Sequence, residues 1–190
     1  MEWKICCFNA GGTNFKMMFK ELKLKGVFKI EIEKIKDERG FFTRIWDKQE
    51  FVKKGIDSDF VQSNISFNKK KGTLRGLHYQ EEPYQEGKLI RCTKGKIYEI
   101  MIDIRKDSET YKKWEHIELD SKENIELFVP KGCALGMQTL EDDTEIFYQM
   151  SQFYKPEYSK GIRWNDPSFK IEWPLKPTVI SEKDKNCEDF

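Results

Sequence analysis

From Phe60 onward nearly every stretch of this chain is short, strand-like and fenced by a turn, and that spacing constrains the fold more than any other feature. Extended runs are predicted at 61–67, 73–80, 88–92, 96–105, 114–119, 125–129 and 144–150. Turn signals separate them at Lys71-Gly72, Glu86-Gly87, Lys94-Gly95, Asp120-Ser121 and Pro130-Lys131-Gly132, where glycine and small polar residues supply conformations that a strand lacks. Many short strands spaced in this way predict an all-β chain, an antiparallel barrel or sandwich rather than βαβ units.

Ahead of that run, residues 27–35 settle into an alternation of apolar and charged side chains, the pattern of a half-buried strand. Asp37-Glu38-Arg39-Gly40 makes a turn, 41–46 is again extended, and 47–54, ended by Gly55, is the best candidate for a short helix. Residues 1–20 carry no clear pattern and read as a poorly ordered leader, in which Met17-Met18 offers a second start for translation. The run 96–104 is apolar at Tyr98, Ile100, Ile102 and Ile104 and also at Ile97 and Met101, so burial on both faces is predicted. After Tyr154 come four of the six prolines and two tryptophans, and proline cannot sit inside a central strand. This segment is expected to wrap over the barrel as ordered loops, followed by a charged, frayed tail at 183–190, which leaves 21–182 as a single domain.

The balance of 34 Lys and Arg against 33 Asp and Glu creates no broad field toward nucleic acid or an anionic membrane. An anionic ligand would have to be held by a few local cations. No apolar run approaches the roughly 20 residues of a membrane-crossing helix, and the first residues lack the apolar centre of a secretion signal. Five cysteines, at 6, 7, 92, 133 and 187, form no Cys-x-x-Cys pair, which fits reduced thiols in the cytoplasm better than a disulfide framework or a zinc site.

Chemistry enters with Arg75-Gly76-Leu77-His78-Tyr79-Gln80, which holds one of only two histidines. An imidazole takes up and returns protons near neutral pH, so His78 is the first candidate for a general base, or else a hydrogen-bonded structural histidine. Such a base is commonly held by a carboxylate on its far nitrogen. Asp166, in the wrapping segment, is the candidate, although Asn165-Asp166-Pro167 taken alone is simply a turn. Tyr148 and Tyr154 have an even spacing and would share a strand face with Met150, either as an aromatic stripe or as phenols open to a ligand. Gln62, Asn64 and Ser66 alternate onto one face as an uncommon polar row. Arg39, Arg44, Arg75 and Lys88 are the cations considered for phosphate oxygens. By strict alternation Arg75 and His78 point to opposite faces, so joint service to one ligand requires a bulge, for which Gly76 is the place. His116 shares a face with Glu118 and reads as exposed and inert.

Taken together these pieces resemble the dTDP-4-dehydrorhamnose 3,5-epimerase family, of cupin-like, jelly-roll fold. The matching motifs stand in order: Asp37-Glu38-Arg39-Gly40-Phe41-Phe42, Val61-Gln62-Ser63-Asn64, Arg75 to Gln80, Gly87-Lys88-Leu89-Ile90, Asp103-Ile104-Arg105, Pro130-Lys131-Gly132, Tyr148 with Tyr154, Trp164-Asn165-Asp166-Pro167 and Trp173-Pro174. The resemblance implies a cofactor-free epimerase of surface-polysaccharide or antibiotic-sugar synthesis, acting on a 4-keto-6-deoxy sugar carried by a nucleoside diphosphate. In it His78 would remove the proton next to the C4 ketone, Asp166 would support the imidazole, and Tyr148 would return a proton from the opposite face. Lys88 would stabilise the enolate. Arg39 and Arg75 match positions for the diphosphate, and Phe42, Gln62, Asn64 and Tyr154 match positions around the nucleotide base. The family forms homodimers by exchanging N-terminal strands, which here implies 27–35.

Two departures stand out. After Pro-x-Gly the family reads Phe-Ala-His-Gly-Phe where this chain has Cys133-Ala134-Leu135-Gly136-Met137, so a second active-site histidine is replaced by Leu135. The aspartate that partners it becomes Glu99, and the expected outcome is epimerisation at one carbon or an altered sugar. In place of Phe-x-Glu the chain has Phe42-Thr43-Arg44, which reverses a charge near the nucleotide base. Metal-binding cupins use His-x-His and a further His after Pro-x-Gly, whereas Leu77-His78-Tyr79 and Leu135 leave too few nitrogen ligands, so no metal is expected. A catalytically silent or isomerase-type sugar-nucleotide cupin is the alternative reading.

Overall fold

The structure, a computed structural model, describes residues 16–190. It opens with β1 (Met17–Glu21) and β2 (Phe28–Ile32), a small hairpin of β3 (Ile35–Asp37) and β4 (Gly40–Phe42), and α1 (Lys48–Lys53). The main strands are β5 (Gln62–Asn68), β6 (Thr73–Gln80), β7 (Lys88–Lys94), β8 (Lys96–Asp103), β9 (Trp114–Asp120), β10 (Ile125–Val129), β11 (Cys133–Thr139) and β12 (Thr144–Met150). The short β13 (Ser159–Gly161) and β14 (Val179–Ile180) lead to α2 (Glu182–Lys185).

Two sheets form, one in the order β1-β2-β10-β7-β12-β5, the other β13-β6-β11-β8-β9 with β14 beside β6. From β5 to β8, and again from β9 to β12, the chain alternates between the two sheets, which is the winding of a jelly roll. The two inner faces meet in one core that draws Ile90, Leu127 and Ile146 from the first sheet and Ile97, Met101 and Leu119 from the second. The predicted all-β architecture is therefore the one observed.

Strand β8 is buried on both faces, as its composition predicts. Ile97 and Met101 enter the inner core, while Tyr98, Ile100 and Ile102 pack outward beneath Ile162 and Phe169. Those last two belong to the proline-rich segment, which wraps the second sheet as expected. Trp114 Nε1 donates to Phe169 O at 2.8 Å, and Trp173 Nε1 to Trp164 O at 2.8 Å. On the outer face of the first sheet sits α1, capped by Asp47 Oδ1, which accepts from Gln49 N at 2.9 Å. Its Phe51 is fully buried and meets Phe19, Phe60 and Phe128 edge-on.

Four expectations need correction. Residues 17–20, read as leader, are strand: β1 pairs with β2 along its length, and residues 1–15 lie outside the described part. The extended segment from 41 stops at Phe42. Strand β11, fully buried, was not predicted because a run apolar on both faces shows no alternation. Nor is 183–190 a frayed tail: Arg163 N donates to Glu188 O at 2.9 Å and Phe190 N to Asp166 Oδ2 at 2.6 Å.

Candidate active site

The site begins with a bulge. Leu135 pairs with His78 but its neighbour Gly136 pairs with Gly76, so Leu77 has no partner on β11. Gly76 takes φ +111, and a Cβ there would lie 2.6 Å from both Gly136 Cα and Leu135 O, which leaves room for glycine only. The expected consequence holds: alternation is broken, and Arg75 and His78 both line one cavity between the sheets.

That cavity measures about 330 Å³. Lys88 and Ile90 enter from β7, Tyr148 and Met150 from β12, Glu99 from β8, and Leu135 from β11. Tyr154 reaches it from the loop after β12. Tyr148 and Tyr154 both line it, but not by the shared strand face that their even spacing predicts: the strand ends at Met150, and Tyr154 comes in on the loop that follows.

His78 has a carboxylate partner, but a different one from that expected. Its Nε2 lies 2.8 Å from Asp184 Oδ1, and Asp184 Oδ2 accepts from Gly76 N at 3.1 Å. Asp166 is occupied elsewhere, with Oδ1 accepting from Ser168 N at 2.7 Å and Oδ2 from Phe190 N. It ties the C-terminus to the wrapping segment and is absent from the cavity lining. Burial acts against the charge on Asp184, but bonds from His78, Gly76 and Ser181 outweigh it and hold the carboxyl below its ordinary range. An acceptor at Nε2 places the proton of the neutral ring there and leaves the Nδ1 lone pair to act as base.

The remaining polar groups are arranged in pairs. Lys88 Nζ sits 2.9 Å from Glu86 Oε1, with both side chains largely withdrawn from solvent. Arg75 Nε donates to Asn68 Oδ1 at 2.7 Å. Glu99 is buried at the residue level and makes no side-chain hydrogen bond among the described residues, and the second oxygen of Glu86, Oε2, is likewise without a partner. Burial pushes the Glu99 carboxyl up to about 8, against the pull of Lys88.

Other expected binding residues lie off this cavity. Gln62 Oε1 accepts from Tyr154 N at 2.6 Å and so supports the loop that carries Tyr154, and Asn64 Nδ2 approaches Met150 Sδ at 3.7 Å. Arg39 is paired with Asp37 on the exposed β3-β4 hairpin, where Phe42 also stands. Arg44 Nη1 reaches Asp47 Oδ2 at 2.7 Å. His116 is exposed and stacks on Tyr98, with ring centroids 4.5 Å apart. No group of three or more His, Cys, Asp or Glu side chains among the described residues is placed to hold a metal ion.

Sequence reasoning passed over Asp184, Lys183 and Glu86, of which the last two line the cavity. A signal for Asp184 was present. Ser181-Glu182-Lys183-Asp184 has the spacing of a helix-capping box, and Ser181 Oγ accepts from Asp184 N at 3.1 Å.

Residues 21–190 match the family described as dTDP-4-dehydrorhamnose 3,5-epimerase. A dTDP-4-dehydrorhamnose 3,5-epimerase of Sinorhizobium fredii is 40% identical over 178 residues, 93% of this chain and 91% of the relative. Among solved structures, the dTDP-4-dehydrorhamnose 3,5-epimerase of Bacillus anthracis with TDP and PPi bound superposes with a TM-score of 0.89 at 35% identity, covering 92% of this chain and 100% of the other. The Legionella pneumophila dTDP-6-deoxy-D-glucose-3,5-epimerase in complex with dTDP-4-keto-L-rhamnose gives a TM-score of 0.86 at 32% identity, covering 92% and 93%.

Proposed function

The chain belongs to the dTDP-4-dehydrorhamnose 3,5-epimerase family, and on that footing we propose that its cavity epimerises a carbon next to the C4 ketone of a dTDP-linked 4-keto-6-deoxy sugar, without a cofactor. The observation that carries this reading is the His78–Asp184 pair facing Tyr148 and Lys88 in one cavity. A proton next to a ketone becomes removable when the resulting enolate is stabilised as it forms. His78 Nδ1 takes that proton, Asp184 balances the imidazolium, and the ammonium of Lys88 faces the ketone oxygen. Tyr148 returns a proton to the carbon, and delivery to the opposite face inverts the centre. Arg75 and Lys183 supply positive charge for the diphosphate.

Leu135 leaves one imidazole in this cavity among the described residues, which favours reaction at a single carbon. Incubation of the enzyme with dTDP-4-keto-6-deoxyglucose in heavy water, read by NMR, tests the proposal. Deuterium at C3 or C5 with wild type and none with His78→Ala is the expected result. No exchange by the wild type overturns the reading.

The working unit is proposed to be a homodimer. Ile65 and Phe67 on the edge strand β5 are 66% and 45% exposed, an unusual apolar load for a free surface. Both edges of β2 are occupied by β1 and β10 of the same chain, which lends exchange of that strand no support. The β3-β4 hairpin is the better candidate, since Arg39 and Phe42 lie outside the cavity of their own chain and would serve a neighbour's. Light scattering on the eluted protein distinguishes one mass from two. No helix among the described residues is long and apolar enough to cross a membrane. Cys92, Cys133 and Cys187 are unpaired thiols, which supports placement in the cytoplasm, in the synthesis of surface or secondary-metabolite sugars.

A further inference from the structure

Glu99 sits at mid-strand in β8, flanked by Met137 of β11 and Ile117 of β9. Neither neighbour offers a hydrogen bond, and Leu135, also on β11, offers none either. The residue is 4% exposed and its side chain lines the cavity that holds His78 and Tyr148. A carboxyl that opens onto a cavity and has no protein partner among the described residues is left to bond with whatever enters that cavity. The group that would meet it is a ligand.

The charge state follows from the surroundings. The cation that pulls on Glu99 is Lys88, and it is already bonded to Glu86. A second carboxylate would put net negative charge where the enolate must form. The neutral acid, by contrast, is a donor.

We propose that Glu99 is a further catalytic residue: as the neutral acid it donates a hydrogen bond, beside Lys88, to the substrate oxygen on which negative charge develops when His78 removes the proton. The inference rests on the proton-abstraction reading of the cavity. No proton changes owner at Glu99. The bond shortens and strengthens as charge builds, so its effect falls on kcat more than on KM. The same use of a carboxylic acid held neutral in an apolar site is known in enolate chemistry.

Three forms of the full-length protein test this: wild type, Glu99→Gln and Glu99→Leu. Wild-type exchange of deuterium into dTDP-4-keto-6-deoxyglucose is measured first. With it established, Glu99→Leu is expected to lower kcat on the order of 10²-fold with KM little changed. Glu99→Gln, whose amide still donates, is expected to stay within about tenfold of wild type. The wild type should lose activity as pH rises through about 8, and Glu99→Gln should not lose it there. His78, Lys88, Glu86 and Tyr148 also face this space, but they are common to both proteins, so the difference reports Glu99. Infrared difference spectra of wild type minus Glu99→Gln at pH 7 should show the carbonyl stretch of a protonated acid. Glu99→Leu as fast as wild type, Glu99→Gln as slow as Glu99→Leu, or no protonated-acid band overturns the inference alone. No exchange by wild type overturns the reading beneath it.

Discussion

Nε2 of His78 and Oδ1 of Asp184 are 2.8 Å apart, although 106 positions separate the two residues in the chain. The second oxygen of the same carboxylate is bonded to Gly76 N, inside the bulge that aims His78 at the cavity. One side chain at the end of the fold therefore fixes both the orientation of the imidazole and the backbone beneath it.

Gly76→Ala should disrupt both. A methyl group would meet Gly136 Cα and Leu135 O at 2.6 Å, in a backbone conformation that L-residues avoid. Strain and overpacking together predict a loss on the order of 3 kcal/mol. Urea denaturation measures it, and activity per folded molecule should fall as well because His78 is displaced.

Tyr148→Phe separates the two proton transfers. His78 can still remove the proton and return solvent deuterium on the original face, so exchange should persist while inversion slows by about 10²–10³-fold. NMR of recovered substrate distinguishes deuterated starting sugar from epimer. Equal loss of exchange and inversion would place Tyr148 in proton removal.

Acid stability should report Asp103. Burial opposes its charge, but hydrogen bonds from Arg105, Ser108 and Thr110 prevail and bring its pKa from 3.8 to about 2. Because the folded value is the lower, the stabilisation is full above 3.8 and is lost as pH falls through about 2. It amounts to about 2 kcal/mol. Urea midpoints taken between pH 6 and pH 2 should decline less steeply in Asp103→Asn, which should also be the less stable protein at pH 6.

Much of the fold was legible because half-buried strands alternate and turns carry glycine. Strands β6, β10 and β12 were predicted with the bounds that the structure gives them. The bulge at Gly76 followed from parity, since Arg75 and His78 could meet one ligand in no other way. What escaped was of two kinds. Strand β11 is apolar on both faces and shows no period to read. Asp184 lies among Lys183, Lys185 and Glu182, where charge suggests solvent, and only the packing of α2 against β6 buries it. Asp166 was the more conspicuous carboxylate, between an asparagine and a proline, and in the structure it anchors Phe190.

The central claim is that Asp184 holds the base for proton abstraction, and kcat for deuterium exchange in Asp184→Asn and Asp166→Asn, measured side by side on folded protein, tests it most directly. An asparagine at 184 presents the wrong group to Nε2 and should lower kcat by about 10²–10⁴-fold, whereas Asp166→Asn should stay near wild type. Loss of activity in Asp166→Asn with full activity in Asp184→Asn would contradict the account.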